Sequence, residues 1–364
     1  MKMTEMTSKE RVQAALDFRQ PDRIPVYTHS YWPRFIESWR RERGLPPGAN
    51  IYDHYPMDVG RVVPDETPFP SKREVLRETD EYRVIRNSWG AVQQVHRGKA
   101  WLSPPRTLEV VLQEKGQIDQ LEFESPFLDS RFPERAPIED LKREKYVHIK
   151  TGGPYLRTSN LRGPRQWLVD LMQDVEFSRE LAMKVTDHIT SVGLEAVRRY
   201  ELHDTSVWFY DDMGTNQGPF FPPKTFRRVF LPCYRRMCAA YREAGVSKIG
   251  LHCDGNIEPL LDMLVDAGID ILNPVEPKAG MDVVRLRKRY GKKLAFSGGL
   301  DNAFILPRGD RDEIRDHVTH VLESGQEGGL IIGTHSIGPD ISIGTYDYLQ
   351  DLILKLGRYP LVLG

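Results

Sequence analysis

The sequence predicts an α/β protein of the (β/α)8, TIM-type barrel class, on three observations. After Tyr146, short apolar runs alternate with amphipathic stretches of ten residues or more, the rhythm of parallel strand–helix units. Polar residues recur where those runs end, at His29, Tyr210 to Asp212, His252 to Asp254, Glu276, Asp301 and His335. A barrel builds its active site from the C-terminal ends of its strands. Finally, the first strand runs into Tyr31-Trp32-Pro33, whereas a doubly wound open sheet would carry a glycine-rich phosphate loop there.

The elements follow in order. Thr7 and Glu10 make a capping box for a helix from Ser8 to about Arg19. Residues 24–30 read as the first strand, with His29 near its end, and Trp32 and Trp39 follow on a helical segment. From 44 to 145 prolines are frequent and apolar runs short. There, Glu81 to Val95 with Asn87-Ser88-Trp89-Gly90 at its centre suggests a β-hairpin. This region is expected to be an irregular elaboration over the barrel mouth within one domain spanning 1–364, and one barrel strand is expected to hide in it. It is a candidate lid or homodimer contact.

Strands are then expected at 147–150, 206–212, 247–252, 269–275, 294–299 and 329–335. A loop should run to Leu161-Arg162-Gly163. Helices should cover 167–173, 175–200, Pro222 or Pro223 to Ala244, Asn256 to Gly268, 281–290, Asp310 to Ser324, and 345–356.

The 364 residues, 40% hydrophobic and 28% charged, describe an ordinary globular chain. A net charge of -1 offers no basic surplus for nucleic acid or an anionic membrane. No apolar run approaches the roughly 18 residues of a membrane span, and the first ten residues hold no signal-peptide core. Cys233, Cys238 and Cys253 form no paired framework and fit a reducing compartment, so a cytoplasmic location is expected.

The chemistry centres on His252-Cys253-Asp254-Gly255. In a strand, His252 and Asp254 project to one side and Cys253 to the other. A histidine and a carboxylate so placed can bind a metal or pass a proton. The alternative is a satisfied core histidine beside a helix-capping aspartate. Asp212, on the face of Tyr210, is a candidate general base or substrate anchor, while Asp211 is expected to cap a neighbouring loop. Arg162 is a candidate for a substrate carboxylate, with a buried structural ion pair as the alternative. Glu276 and Asp301 are expected to orient the histidines or touch substrate, with a helix cap as the alternative for Asp301. His29, Trp32 and Tyr155 are candidates for the pocket wall, with ordinary packing as the alternative for Trp32, and Asn216, in the loop beyond Tyr210, for a substrate contact. His54, His96, His148, His188, His203, His317 and His320 show no partner pattern.

Several of these pieces, in this order, resemble the uroporphyrinogen decarboxylase superfamily, which includes corrinoid-linked methyltransferases. They are Ser8-Lys9-Glu10-Arg11 through Pro21-Asp22-Arg23-Ile24-Pro25, Gly153-Pro154 with Leu161-Arg162-Gly163, Tyr210-Asp211-Asp212-Met213-Gly214, and His252 to Ile257. Asn273-Pro274, Gly280-Met281-Asp282, Phe296 to Asp301 and Gly333-Thr334-His335 complete the set. The resemblance implies the barrel. True uroporphyrinogen decarboxylases carry an arginine-bearing segment where this chain reads Tyr27 to Trp32, so the tetrapyrrole reaction is not expected.

The methyltransferase branch holds zinc with His-x-Cys and a distant Cys. Here His252 matches the histidine, Asp254 stands at the first Cys, and His335 lies near the second. The resemblance thus implies a divalent metal, zinc first, on His252, Asp254 and His335, and a corrinoid protein as partner. A metal-assisted methyltransferase or demethylase of a small methylated compound is the first expectation. A metal-independent decarboxylase of a small carboxylic acid, with His252, His335 and Asp212 as proton-transfer groups, is the second, and a non-catalytic small-molecule binding barrel the third.

Overall fold

A computed structural model describes residues 5–97 and 105–363. Seven parallel strands form one sheet. Their spatial order is Leu330–Gly333, Ala295–Gly299, Ile271–Asn273, Lys248–His252, Ser206–Tyr210, Tyr146–Gly152, Val59–Val62. Residues 25–29 fill the eighth place and bond to both edges. On one side Tyr27 N donates to Ile332 O and Ile332 N to Pro25 O, both at 2.9 Å. On the other, Asp58 N donates to Val26 O, also at 2.9 Å. The barrel closes as expected, and Val59–Val62 is the strand hidden in the irregular region.

Side chains alternate along a strand, and the barrel interior shows the consequence. Its lower layer is apolar: Tyr27, Val59, Tyr146, Trp208, Ile271, Ala295 and Ile331 cluster there, joined by Val12 and Leu16 from the helix Ser8–Leu16. That helix starts from the predicted capping box, Glu10 N donating to Thr7 Oγ1 at 3.2 Å, and ends three residues early at Leu16. Trp208 can fill the middle because residue 250 is glycine, where a Cβ would lie 2.7 Å from the indole. Gly333 serves the same purpose at the closing seam, since a Cβ there would lie 1.8 Å from Tyr27 O. Two residues further along each strand the inward face turns polar: His29, Arg61, His148 then Lys150, Tyr210, His252, Asn273 and Ser297.

The outer helices lie close to expectation, including Val175–Tyr200, Val283–Tyr290, Arg311–Glu323 and Ile343–Leu356, each with its side-chain cap. Two expectations need correction. Residues 154–162 form a helix, Pro154–Arg162, not a loop. The expected helix from Pro223 is broken by a π-helical turn at Phe226–Phe230 before Leu231–Glu243, where Pro232 has no N–H for an unbroken α ladder.

The predicted hairpin is present as Tyr82–Arg86 and Val92–His96, paired Arg86 to Val92. Its turn is fixed by Asn87 Oδ1, which accepts from Trp89 N and Ala91 N, both at 3.0 Å. Glu74–Glu78 and Arg106–Glu109 extend it to a four-stranded antiparallel sheet. Trp89 lies under the Arg157 guanidinium, 5.6 Å from the ring centre, so the turn packs against the Pro154–Arg162 helix. Among the described residues no helix is long and apolar enough to cross a membrane.

Candidate active site at the barrel mouth

The strand Lys248–His252 delivers His252 to the mouth, in register between Tyr210 and Asn273. His252 is buried, its ring stacked on Tyr210 at 4.5 Å between centres. Its Nδ1 donates to Asn273 Oδ1 at 2.5 Å, and Asn273 is held in turn because its Nδ2 donates to Ser297 O at 2.9 Å. Since an amide oxygen only accepts, Nδ1 carries the proton and the Nε2 lone pair is free. That lone pair faces Asp254: His252 Nε2 lies 3.4 Å, and His335 Nε2 3.5 Å, from Asp254 Oδ1.

The turn after His252 is tied by two other carboxylates. Asp254 N donates to Asp212 Oδ1 at 3.0 Å, and Gly255 N to Glu276 Oε2 at 2.8 Å. Glu276 also pairs with Lys278 at 2.9 Å. Burial first, then the charges of Asp212 and Glu276, push the Asp254 carboxyl up to about 7. Burial likewise lowers His252, to about 3, and lowers His335, leaving both imidazoles neutral at ordinary pH.

His29 completes the cluster. Its ring centre lies 4.7 Å from His252 and 5.7 Å from His335, and it lies 3.4 Å from the Tyr210 hydroxyl. Burial and its cationic neighbours hold it well below the usual imidazole range. Cys253 faces away as expected, buried and accepting from Met213 N at 3.2 Å.

His29, Tyr210, Asp212, His252, Asp254 and His335 therefore come together, and several other candidates do not join them. Arg162 is held by Asp170 at 2.6 Å and by the carbonyls of Leu112 and Gln113, the structural alternative. Tyr155 packs among Phe220, Phe221 and Phe230. Asp301 caps a turn, accepting from Ala303 N and Phe304 N at 2.8 and 2.7 Å, while its own N–H donates to His317. Glu276 bonds the turn rather than a histidine. Asn216 sits exposed at the tip of a tight hairpin, and Trp32 is exposed rather than packed. Asp211 caps the Pro154–Arg162 helix, accepting from Tyr155 N and Leu156 N at 3.1 and 2.6 Å.

Four residues escaped the sequence reading. Arg61 lies against His29, Nη1 to Nε2 at 3.2 Å, and Lys150 Nζ lies 4.1 Å from the Tyr210 ring centre. His148 stacks on Trp208 below them, and Asn273 fixes His252. Asn273 stood among the matching pieces as Asn273-Pro274, but nothing along the chain marked it as the partner of His252.

A sequence profile of the uroporphyrinogen decarboxylase (URO-D) family matches residues 106–355. No curated protein sequence gives a significant match. Among solved structures, a methyltransferase from Methanosarcina mazei superposes with a TM-score of 0.68 at 17% identity, over 96% of this chain and 99% of its own. A B12-independent methionine synthase from a Shewanella species, in complex with selenomethionine, reaches 0.39 at 12%, over 78% of this chain and 73% of its own. The first of these supports the barrel fold. With a profile match over more than half its length, a closed parallel barrel and a polar cluster at the strand ends, this chain belongs to the uroporphyrinogen decarboxylase (URO-D) family.

Proposed function

We propose that the protein is a metal-assisted methyltransferase or demethylase of a small methylated compound, with a corrinoid carried by a partner protein as the other holder of the methyl group. The observation that carries the reading is the His252, Asp254, His335 cluster, whose candidate ligand atoms all lie within 4.8 Å of one another. Asp254 Oδ1 is shut away from water and has no hydrogen bond. Two ligands each about 2.0–2.1 Å from a tetrahedral zinc stand roughly 3.3 Å apart, close to the 3.4 and 3.5 Å separations of Asp254 from the two imidazoles. The residues fit a divalent ion. A donor set of two nitrogens and a carboxylate is harder than a thiolate set but competent for zinc.

Such an ion, when bound, would act as a Lewis acid on the heteroatom that exchanges the methyl group. Asn273 holds His252 in the tautomer that offers Nε2. Asp212 and Glu276 hold the turn that presents Asp254. Tyr210 and His29 wall the cluster on the barrel side and restrict water. The choice of methyl transfer among reactions open to the fold also draws on the Methanosarcina neighbour being a methyltransferase.

The test is to reconstitute the protein with zinc and incubate it with reduced cobalamin and a series of methylated thiols, amines and ethers. Metal-dependent formation of methylcobalamin supports the reading; a folded protein that takes up no metal overturns it. Two further outcomes are expected. Asn273→Ala should weaken zinc binding by about 10–100-fold, as loss of a ligand's outer hydrogen bond does elsewhere, measured by competition with a chromophoric chelator. Asp254 must be ionised to bind, and its proton leaves at about 7. Zinc affinity should therefore fall up to tenfold per pH unit below that value and level off above it. Equal affinities at about pH 6 and about pH 8, after correction for the chelator, would remove Asp254 from the ligand set.

A further inference from the structure

Two cations stand at the mouth without a counter-ion. Arg61 and Lys150 come from adjacent parallel strands, Arg61 in register with His148, two residues before Lys150. Among the described residues neither has a carboxylate at ion-pair distance, whereas Arg11, Arg23, Arg157 and Arg162 are all paired. The acids whose fields reach Lys150 are already engaged. Glu66 pairs with Arg157 at 2.5 Å and accepts from Gly152 N at 2.6 Å, and Asp212 holds Asp254 N. Both cations are half-buried. Arg61 has the His29 ring and carbonyl and Lys150 the face of Tyr210 to meet its charge, and a half-buried cation with no counter-ion is costly to keep. Burial and the nearby Arg61 accordingly pull the Lys150 amine down to about 8.

We propose that Arg61 and Lys150 anchor the carboxylate of a small substrate whose other end reaches His252 and His335. The guanidinium fork matches a carboxylate in two parallel hydrogen bonds, and an ammonium adds a point charge beside it. One ring separates each cation from the histidine pair: His29 lies between Arg61 and His335, and Tyr210 between Lys150 and His252. The ligand is therefore short, with its carboxylate one ring or one short chain away from the reacting heteroatom. Aromatic and thioether acids suit the aromatic walls. This substrate class rests on the reading of the mouth as the reaction site, but the anion site stands on the two cations alone.

Calorimetric titration of the full chain with 4-methoxybenzoate and 3-(methylthio)propionate, each beside its uncharged amide, tests it. The acids should bind at least about tenfold more tightly than the amides, about 1.4 kcal/mol. Arg61→Ala and Lys150→Met should each weaken acid binding at least about tenfold, leaving amide binding and zinc content unchanged. The proposal is overturned if neither acid binds at millimolar concentration, if acid and amide bind alike, or if both variants hold the acids as the wild type does. Loss of this discrimination in a protein that still carries zinc overturns the anion site alone. A zinc-free protein that still prefers acids overturns the metal reading alone.

Discussion

Replacing His252 with alanine is expected to abolish zinc uptake at the proposed centre, from about one equivalent to less than about a tenth, and His335→Ala to do the same. Each variant leaves a carboxylate and one imidazole, and each removes a neutral nitrogen that the wild type holds ready. The fold should survive. His252 sits at the top of the barrel, where its main side-chain contacts are Tyr210, His29 and Asn273, and the apolar layer below is untouched. A loss of about 1–3 kcal/mol is expected from the broken hydrogen bond and the space left beside Tyr210. Cys253→Ala is the control: the thiol is one residue away but faces the other side, so metal content should hold while stability falls modestly, because Met213 N loses its acceptor. Elemental analysis of the three variants beside wild type decides it. Full metal retention in either histidine variant sinks the site.

The parts legible in the sequence were those set by local rules. Strand–helix rhythm, the Thr7–Glu10 box and the helix start at Asp310 need only neighbours along the chain, and each is present. The grouping of His252, Asp254 and His335 followed from strand ends and resemblance together. What was missed depends on the other strands. Val59–Val62 carries Gly60 and Arg61 in a four-residue strand, so its apolar run is broken by the residue that lines the mouth. Lys150 reads as the polar end of a short strand until the barrel turns its face inward. The Pro154–Arg162 helix looks like a Gly-Gly-Pro loop because its cap, Asp211, arrives from a strand more than 50 residues later. Arg162 resembled a ligand-binding arginine beside a glycine, but its partner Asp170 lies on the next helix.

The same distinction explains the first of the matching pieces, Ser8 to Arg11 with Asp22 and Arg23. These residues hold the closing seam together at the end of the barrel opposite the histidines. Asp58, fully buried just before Val59–Val62, accepts from Arg11 Nη1 at 2.7 Å, Arg23 Nη1 at 2.7 Å, Val26 N at 2.8 Å and Ser8 Oγ at 3.1 Å. Arg11 is held on its other edge by Asp22, at 2.6 Å. One carboxylate thus joins the first helix, the eighth strand and its neighbour. Asp58→Ala removes the shared acceptor, leaving Arg11 with Asp22 and the Met6 carbonyl, and Val26 N without its acceptor. Truncating one member of a buried charge network typically costs about 3–5 kcal/mol, and that loss is expected here in urea unfolding. Asp58→Asn keeps the shape and one acceptor oxygen, so it should lose less while still failing to balance two guanidinium groups. A loss below about 1 kcal/mol in the alanine variant would show that the seam is held by its backbone bonds instead. Because the network is remote from the mouth, the folded Asp58→Ala protein should take up zinc at the proposed centre as the wild type does. Loss of stability without loss of metal separates this seam from the site above it.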